Sequence, residues 1–344
     1  MGRGGRWLRI VLGVLALGTA AHALQVPAGW LLAGLAVGLA VALSSGHAPA
    51  LGAPLLFAAQ AVIGAALGAQ AQPAVLAEVS RELPAVAGVA LGTLGLSVLA
   101  GLVLARFTSL DRPTAVLGML AGAAEGVVVA SQEGRADARL VAVMQYLRLV
   151  LVVASVPLLV GVLFEVGRPV SPTASSAPGL GVLSFALVAV VGAAVGRGLR
   201  VPIGALVGPI VLAALVSAVG VPLLTPPAVG AAALAVIGLS VGLTFDADAL
   251  RHAGSLLPAM LGGVAIVVGG SGALAVGLAR WAEVDGLTAY LAASPGGLNA
   301  VLATAYDTGA MIGFVLAVQM LRFLVFVAAA PVLASRWRTR PEPG

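Results

Sequence analysis

Two polar pairs recur inside long apolar stretches of this 344-residue chain. A glutamine precedes an arginine by three residues, once as Gln145 and Arg148 and again as Gln319 and Arg322. Residues three apart share one helix face, and an arginine at a bilayer centre costs about 2.5–3.5 kcal/mol on insertion scales, so it needs a partner or a cavity. The pairs predict either an anion-binding site or structural pairing of each guanidinium to a carboxylate, to carbonyl groups of a broken helix, or to the membrane interface.

The run Ser-Pro-Gly-Gly-Leu-Asn at 294–299 is the second candidate for chemistry. Proline removes a hydrogen-bond donor and glycine adds backbone freedom, so the run predicts a broken helix. Secondary transporters bind substrates and ions at such breaks, although a kinked helix or a tight turn outside the membrane has the same signature. The candidate substrate-binding residues are Ser294, Pro295, Gly296, Gly297 and Asn299, with Gly122 at the matching place in the first half.

Glu125 is the only carboxylate clearly inside an apolar segment. It predicts either a residue that couples transport to a proton or cation, or the structural mate of Arg148. The residues that other kinds of chemistry require are missing. The chain has no cysteine and no lysine, and its three histidines are isolated. We therefore expect no enzyme, no cofactor and no metal site.

The composition sets the class of the protein. Hydrophobic residues make up 60% of the chain and charged residues 9%, against about 25% charged residues in soluble domains. Runs of about 20 apolar residues span a bilayer, so the sequence predicts an all-α polytopic membrane protein. Arginines cluster at both ends, which predicts that both termini are cytoplasmic. Because this explains the basic clusters, we expect no direct nucleic-acid partner.

The chain is predicted to be a duplication. A shift of 174 residues aligns Ala105-Arg106 with Ala279-Arg280, Asp111 with Asp285, and each Gln–Arg pair with the other. The first repeat covers 7–165, a Pro/Ser-rich linker 166–178, the second repeat 179–335 and a basic tail 336–344. The apolar N-terminus fits a signal peptide or an uncleaved span, and its counterpart in the second half favours the span.

Each half contains up to six hydrophobic segments, which gives about 10–12 helical segments, some of them broken. Five crossings per half would make the repeats inverted and six would make them parallel, and both remain open. Four glycine pairs at small-xxx-small spacing predict close helix packing. They are Gly34 and Gly38, Gly64 and Gly68, Gly204 and Gly208, and Gly238 and Gly242.

The duplicated unit, the Pro-Gly-Gly-Leu run at 295–298 and the Gln-x-x-Arg that follows it resemble the bacterial membrane AbrB-type family. That resemblance covers essentially the whole chain. It implies a location in the bacterial inner membrane. It also implies kinship with cation-antiporter and bile-acid-symporter-like carriers, which use five-plus-five inverted repeats. Family members often carry an acidic residue two positions after Pro-Gly-Gly-Leu, whereas this chain has Ala300 there.

Three functions are compatible with these features. The first is a secondary carrier of a small metabolite, with an organic anion favoured and a midplane site between the repeats. The second is a membrane-embedded regulator or sensor that affects gene expression indirectly, and the third is an exporter of uncharged solutes in which the arginines are structural. The expected partners are an unknown small-molecule substrate, the lipid bilayer and, as an option, further copies of the chain.

Overall fold

The computed structural model describes residues 3–24, 26–44, 51–70, 83–120, 127, 131, 136–164, 178–199, 204–243 and 256–335. Every element in these ranges is an α helix. Within the described residues, each predicted apolar segment contains at least one helix, and the segment with the Ser-Pro-Gly-Gly run contains two. The helices are α1 (Arg3–Ala23), α2 (Gly29–Ser44), α3 (Ala53–Gln70), α4 (Leu83–Phe107), α5 (Arg112–Met119), α6 (Ala138–Leu163), α7 (Pro178–Gly198), α8 (Gly204–Ala218), α9 (Pro227–Leu243), α10 (Leu257–Trp281), α11 (Gly286–Ala293), α12 (Leu298–Thr308) and α13 (Ile312–Ser335).

Four helices are long and apolar enough to cross a membrane: Leu83–Phe107, Leu140–Leu163, Gly179–Gly198 and Leu257–Trp281. A helix rises about 1.5 Å per residue, so the 25 residues of α4 exceed the bilayer core of about 30 Å. Lipid offers no hydrogen bonds to the backbone, and a helix satisfies its own N–H and C=O groups. Long runs of Ala, Gly, Leu and Val therefore fold in this way.

The chain divides into two compact units, and each draws on both halves of the sequence. The first unit contains Met1–Arg81, Val156–Asp246 and Leu298–Phe314. The second contains Glu82–Ser155, Ala247–Gly297 and Val315–Gly344.

In the first unit, α2 packs along α9 through two of the predicted glycine pairs. A Cβ atom on Gly38 would lie 2.7 Å from the carbonyl oxygen of Leu239, and one on Gly242 would lie 2.6 Å from the backbone nitrogen of Leu39. Only a residue without a side chain permits this approach. Gly34 meets Ala235 in the same row, so residue numbers rise together and α2 and α9 run parallel.

The other two glycine pairs hold α8 in the same unit. A Cβ atom on Gly64 would lie 3.1 Å from Cβ of Pro209, and one on Gly68 would lie 2.7 Å from Cβ of Ala213. Helices α3 and α8 therefore also run parallel. Gly204 and Gly208 instead face the end of α7. The prediction that the four glycine pairs are packing faces is confirmed.

In the second unit, α4 and α10 pack against each other in opposite directions. A Cβ atom on Gly92 would lie 3.0 Å from Cδ1 of Leu274, and one on Gly270 would lie 2.5 Å from Cδ2 of Leu96. The residue number of the contact rises along α4 while it falls along α10. The two helices are therefore antiparallel.

The short helices α5 and α11 of the second unit begin with the same cap. The Asp111 carboxylate accepts from the backbone N–H of Thr114 at 3.2 Å, and the Asp285 carboxylate accepts from that of Thr288 at 2.9 Å. An aspartate at this place satisfies an N–H group that has no partner within the helix.

Helix α6 begins beside the beginning of α5. The backbone N–H of Asp137 donates to Oγ1 of Thr114 at 2.8 Å. Further along, the Gln145 side chain reaches the carbonyl oxygen of Leu120, at the other end of α5. Helices α5 and α6 therefore run side by side in the same direction, although they follow each other in the chain.

Candidate functional site

The helix interruption predicted at Ser294–Gly297 is present. Helix α11 ends at Ala293 and α12 begins at Leu298. The backbone of Ser294 is extended, with φ −59° and ψ 135°, which is the conformation that a following proline imposes. The interruption leaves the last carbonyl groups of α11 without N–H partners from a continuing helix.

Gln319 on α13 supplies partners for these carbonyl groups. Its Nε2 atom donates to the carbonyl oxygens of Leu291, Ala292 and Ser294, at 2.9, 3.3 and 3.1 Å. The residue is 1% exposed. Its side-chain amide thus caps the C-terminal end of α11 where water is excluded.

Arg322, one helical turn further along α13, completes this cap. Its Nη1 atom donates to the carbonyl oxygen of Ser294, and Nη2 donates to that of Gly296 at 3.0 Å. Arg322 follows Ile312 by ten residues, so it lies about 15 Å along a 24-residue helix of about 36 Å. The guanidinium is therefore near the middle of α13 and is 5% exposed.

The first-half pair makes an equivalent arrangement at the end of α5. Gln145 Nε2 donates to the carbonyl oxygens of Leu117 and Leu120 at 2.7 and 2.9 Å. Arg148 donates from Nη1 to the Met119 carbonyl at 3.4 Å and from Nη2 to Oε1 of Gln145 at 3.0 Å. Helix α5 ends at Met119, three residues before the predicted break at Gly122. Its last carbonyls are the ones that Gln145 caps.

Of the alternatives predicted for the two arginines, the structure shows that each guanidinium is hydrogen-bonded to carbonyl groups at the end of an interrupted helix. Helix C-termini carry about half a negative charge. Both guanidinium groups are buried. Within the described ranges neither has a carboxylate partner. Counted over the described residues alone, two half-helix ends offset about one of these two positive charges.

The second-half arrangement leaves polar atoms unused. Ser294 Oγ, Gln319 Oε1 and Arg322 Nε are buried and have no hydrogen-bond partner among the residues the structure describes. In the first half, by contrast, Oε1 of Gln145 accepts from Arg148. The two caps therefore differ in how completely they are satisfied.

The remaining predicted site residues lie partly outside the described ranges. Pro295, Gly296 and Gly297 form the interruption, and a Cβ atom on Gly297 would lie 3.1 Å from Cδ1 of Leu149 on α6. The backbone of Asn299 is in the first turn of α12, and its side chain is outside the description. Gly122 and Glu125 are also outside it. No group of three or more His, Asp or Glu residues that could hold a metal ion occurs in the part of the chain described.

The sequence analysis missed some buried polar residues. Ser97 and Ser271 are fully buried, and they occupy matching positions of α4 and α10. The shift of 174 residues could have revealed them as a matched polar pair. Asp307 was not among the predicted site residues, yet its carboxylate accepts from the backbone N–H of Ala28 at 2.9 Å, at the start of α2. That contact joins positions 279 residues apart, and no local pattern predicts it.

Comparison with known proteins gives one consistent answer. The sequence profile of the AbrB family, with the description "Transition state regulatory protein AbrB", matches residues 30–338. The Escherichia coli (strain K12) protein named "Putative regulator AbrB" is 32% identical over 281 residues, which cover 80% of this chain and 81% of that protein. No solved structure matches the chain. With its long apolar helices, the chain is therefore a membrane protein that belongs to the AbrB family.

Proposed function

We propose that this protein is a multi-pass secondary carrier of the bacterial inner membrane that moves a small organic anion. The observation that carries the proposal is the pair of buried guanidinium groups, Arg148 and Arg322, at the ends of two half-helices. Among the described residues, the two helix ends offset about one of the two positive charges. An uncompensated charge within a bilayer is costly, and a monovalent anion of small size would neutralise it.

The carrier would be built from two homologous halves. Helices α4 and α10 have 25 residues each, α5 and α11 have eight each, and α1 and α7 have 21 each. The shift of 174 residues carries Leu83–Phe107 onto Leu257–Trp281 and Arg112–Met119 onto Gly286–Ala293 without any offset. This agreement supports a duplication.

The halves would be inverted relative to each other. Helices α4 and α10 are counterparts, and they run antiparallel. Gly270 contacts Leu96, and these are the two positions that the shift of 174 superposes. A contact between a position and its own counterpart is expected at a two-fold axis, and here such an axis would be perpendicular to the helices. Parallel repeats would require α4 and α10 to run in the same direction.

The interrupted segments would then enter the membrane and return to the side from which they came. Consecutive crossings must alternate in direction, but α5 and α6 run parallel. Helices α11 and α13 also run parallel. Gln319 contacts Leu291, and Arg322, later in α13, contacts Gly296, which is later in the chain than Leu291. A re-entrant segment in each half leaves five crossings per half, and an odd number makes the halves inverted.

The distribution of arginine supports this topology. With both termini cytoplasmic, ten crossings and two re-entrant segments leave 13 of the 18 arginines in tails, connections or helix ends on the cytoplasmic side and three on the opposite side. Twelve crossings would leave ten on the cytoplasmic side and six opposite. Positive charge in short loops favours the cytoplasm, so the ten-crossing arrangement is preferred.

This topology suits alternating access. Two re-entrant segments that enter from opposite sides bring their helix ends, with Arg148 and Arg322, to the middle of the membrane. Transporters bind substrates at such discontinuous helices and open the site to each side in turn. A site with one half-helix from each side can be exposed to either side by movement of one repeat.

Uptake into proteoliposomes tests the carrier function. We expect saturable uptake of one or more labelled small carboxylates, changed by an imposed pH, sodium or voltage gradient. The variant with both Arg148→Gln and Arg322→Gln should take up no more than protein-free liposomes. Uptake at the protein-free rate across the whole panel, with and without each gradient, would contradict the proposal.

Glu125 adds a second arm to this experiment. If Glu125 couples transport to protons, Glu125→Gln keeps exchange of labelled for unlabelled substrate but loses acceleration by a pH gradient. If it is the structural mate of Arg148, the same variant lowers the midpoint of thermal unfolding and leaves the gradient dependence unchanged.

A regulator is the second candidate, because the family description and the name of the E. coli relative both contain that term. Such a protein would change expression of reporter genes without moving a solute. Expression that responds equally in the wild type and in the Arg148→Gln, Arg322→Gln double variant would favour the regulator. Loss of both the response and uptake in that variant would favour a carrier whose transport is sensed.

A further inference from the structure

Three buried polar atoms around the interruption in the second half have no hydrogen-bond partner within the described part of the chain. They are Oγ of Ser294, Oε1 of Gln319 and Nε of Arg322. These residues are 0%, 1% and 5% exposed. An unsatisfied buried polar group costs about 1–3 kcal/mol, so a ligand that supplied the missing partners would relieve the cost of all three.

The three residues meet at one carbonyl group. Both Nε2 of Gln319 and Nη1 of Arg322 donate to the carbonyl oxygen of Ser294. With these hydrogen bonds made, the amide oxygen of Gln319 and the Nε–H of Arg322 are left over. The Ser294 hydroxyl belongs to the same residue as the shared carbonyl.

The first half does not repeat this arrangement. The amide oxygen of Gln145 accepts from Arg148 at 3.0 Å, and the residue that corresponds to Ser294 is Leu120. Its side chain has no hydroxyl. In the described part of the chain, the buried side-chain atoms without a partner around the two caps are therefore those of the second half.

We propose that Ser294, Gln319 and Arg322 bind a 2-hydroxycarboxylate. Arginine Nε–H only donates, an amide oxygen only accepts, and a serine hydroxyl does both. The carboxylate oxygens accept from Arg322 and Ser294, and the adjacent hydroxyl donates to Oε1 of Gln319. The two buried guanidinium groups attract the carboxylate. They would repel an ammonium group in place of the hydroxyl, which excludes 2-amino acids from the favoured class.

This inference rests on the proposed carrier function, because the bound anion would be the transported substrate. Binding can nevertheless be measured without transport. The purified protein in lipid nanodiscs is titrated with sodium glycolate, and the midpoint of thermal unfolding is followed at constant ionic strength. Sodium methoxyacetate keeps the carboxylate and blocks the hydroxyl, and sodium acetate lacks the oxygen altogether. A ligand that binds the folded state raises the midpoint according to its concentration and dissociation constant.

We expect glycolate to bind about tenfold more tightly than methoxyacetate or acetate, since one hydrogen bond to a buried acceptor is lost with each. Ser294→Ala should weaken glycolate by about tenfold, because a hydrogen bond to a charged group is lost. Ser97→Ala is the matched control, because its hydroxyl is also fully buried but bonds to the carbonyl of Thr93 in its own helix. That variant should bind glycolate like the wild type.

Equal shifts with the three acids, or no shift with any, would overturn the inference and leave an ordered water as the partner of these atoms. An undiminished preference for glycolate in Ser294→Ala would overturn it as well. Transport is judged separately. Binding of glycolate without uptake into proteoliposomes would contradict the carrier and retain the site, whereas uptake of carboxylates with no preference for the hydroxyl would contradict the site and retain the carrier.

Discussion

Arg322 donates from Nη2 to the backbone carbonyl oxygen of Gly296, at 3.0 Å. In an unbroken helix that carbonyl would accept from a backbone N–H four residues further on. The side chain of a different helix replaces this partner here. In a bilayer, where no water is available to do so, irregular backbone must be satisfied by protein. The charge that we assign to anion binding therefore also stabilises the interruption.

Substitutions at Arg322 should separate these two roles. Arg322→Gln removes the charge and one or both donors, and each hydrogen bond to a charged group contributes about 1.5–3 kcal/mol. We expect a lower midpoint of thermal unfolding in nanodiscs and no anion uptake. Arg322→Lys keeps a charge and donors to carbonyl oxygen, so its midpoint should lie closer to the wild type, while uptake falls because Nε–H is lost. An unchanged midpoint in Arg322→Gln would show that the carbonyl contacts do not stabilise the fold.

Gln145 should matter for stability more than an ordinary glutamine. Gln145→Leu removes donors to Leu117 and Leu120 and the acceptor of Arg148, and neutral hydrogen bonds contribute about 0.5–1.5 kcal/mol each. We expect a loss of about 2–3 kcal/mol, measured as a lower midpoint of thermal unfolding. Gln60→Leu, at a partly exposed position of α3, is the control and should change the midpoint little. Equal effects of the two substitutions would argue against the capping role.

Much of this arrangement could be predicted from the sequence. Apolar run lengths gave the helices, because a helix is the structure that satisfies its own backbone in lipid. Proline followed by two glycines gave the interruption, because both effects are local to the backbone. The spacing of three residues predicted that Gln145 and Arg148 share one face of their helix, and the hydrogen bond between their side chains confirms it.

Other features depend on contacts between distant residues. Whether Arg148 pairs with a carboxylate or with carbonyl groups depends on where α5 ends relative to α6, and the sequence of either helix does not contain that distance. The contact between Asp307 and Ala28 is of the same kind. The direction of α4 relative to α10 is likewise a property of packing, which explains why the number of crossings remained open.

The glycine rows of the first unit should tolerate no side chain. A methyl group at Gly238 would overlap the backbone of Leu31 on α2, and overpacking costs about 1–3 kcal/mol. We expect Gly238→Ala to lower the midpoint of thermal unfolding. Gly88→Ala provides the control, because it is exposed on α4 and a Cβ atom there would meet nothing within 4 Å. Alanine is about 1 kcal/mol better than glycine in a helix, so the control should be neutral or stabilising, and a similar loss in both variants would refute the packing argument.

The re-entrant topology makes a prediction about the sides of the membrane. The chain contains no cysteine, so single cysteines can be introduced and labelled with an impermeant maleimide from either side. Phe107→Cys and Ser109→Cys report on the end of α4, Ala136→Cys reports on the start of α6, and Trp281→Cys reports on the end of α10. Phe107, Trp281 and Ser109 are exposed and Ala136 is partly exposed.

We expect the cysteines at 107, 109 and 136 to react from the cytoplasmic side and the cysteine at 281 to react from the opposite side. The positions 107 and 281 are counterparts under the shift of 174, so opposite labelling would mean inverted halves. Reaction of 109 and 136 from opposite sides would mean that the interrupted segment crosses the membrane. Reaction of 107 and 281 from the same side would mean parallel repeats, and the interrupted helix ends would then enter from one side only. Alternating access through half-helices from both sides would have to be abandoned in that case, whatever the anion.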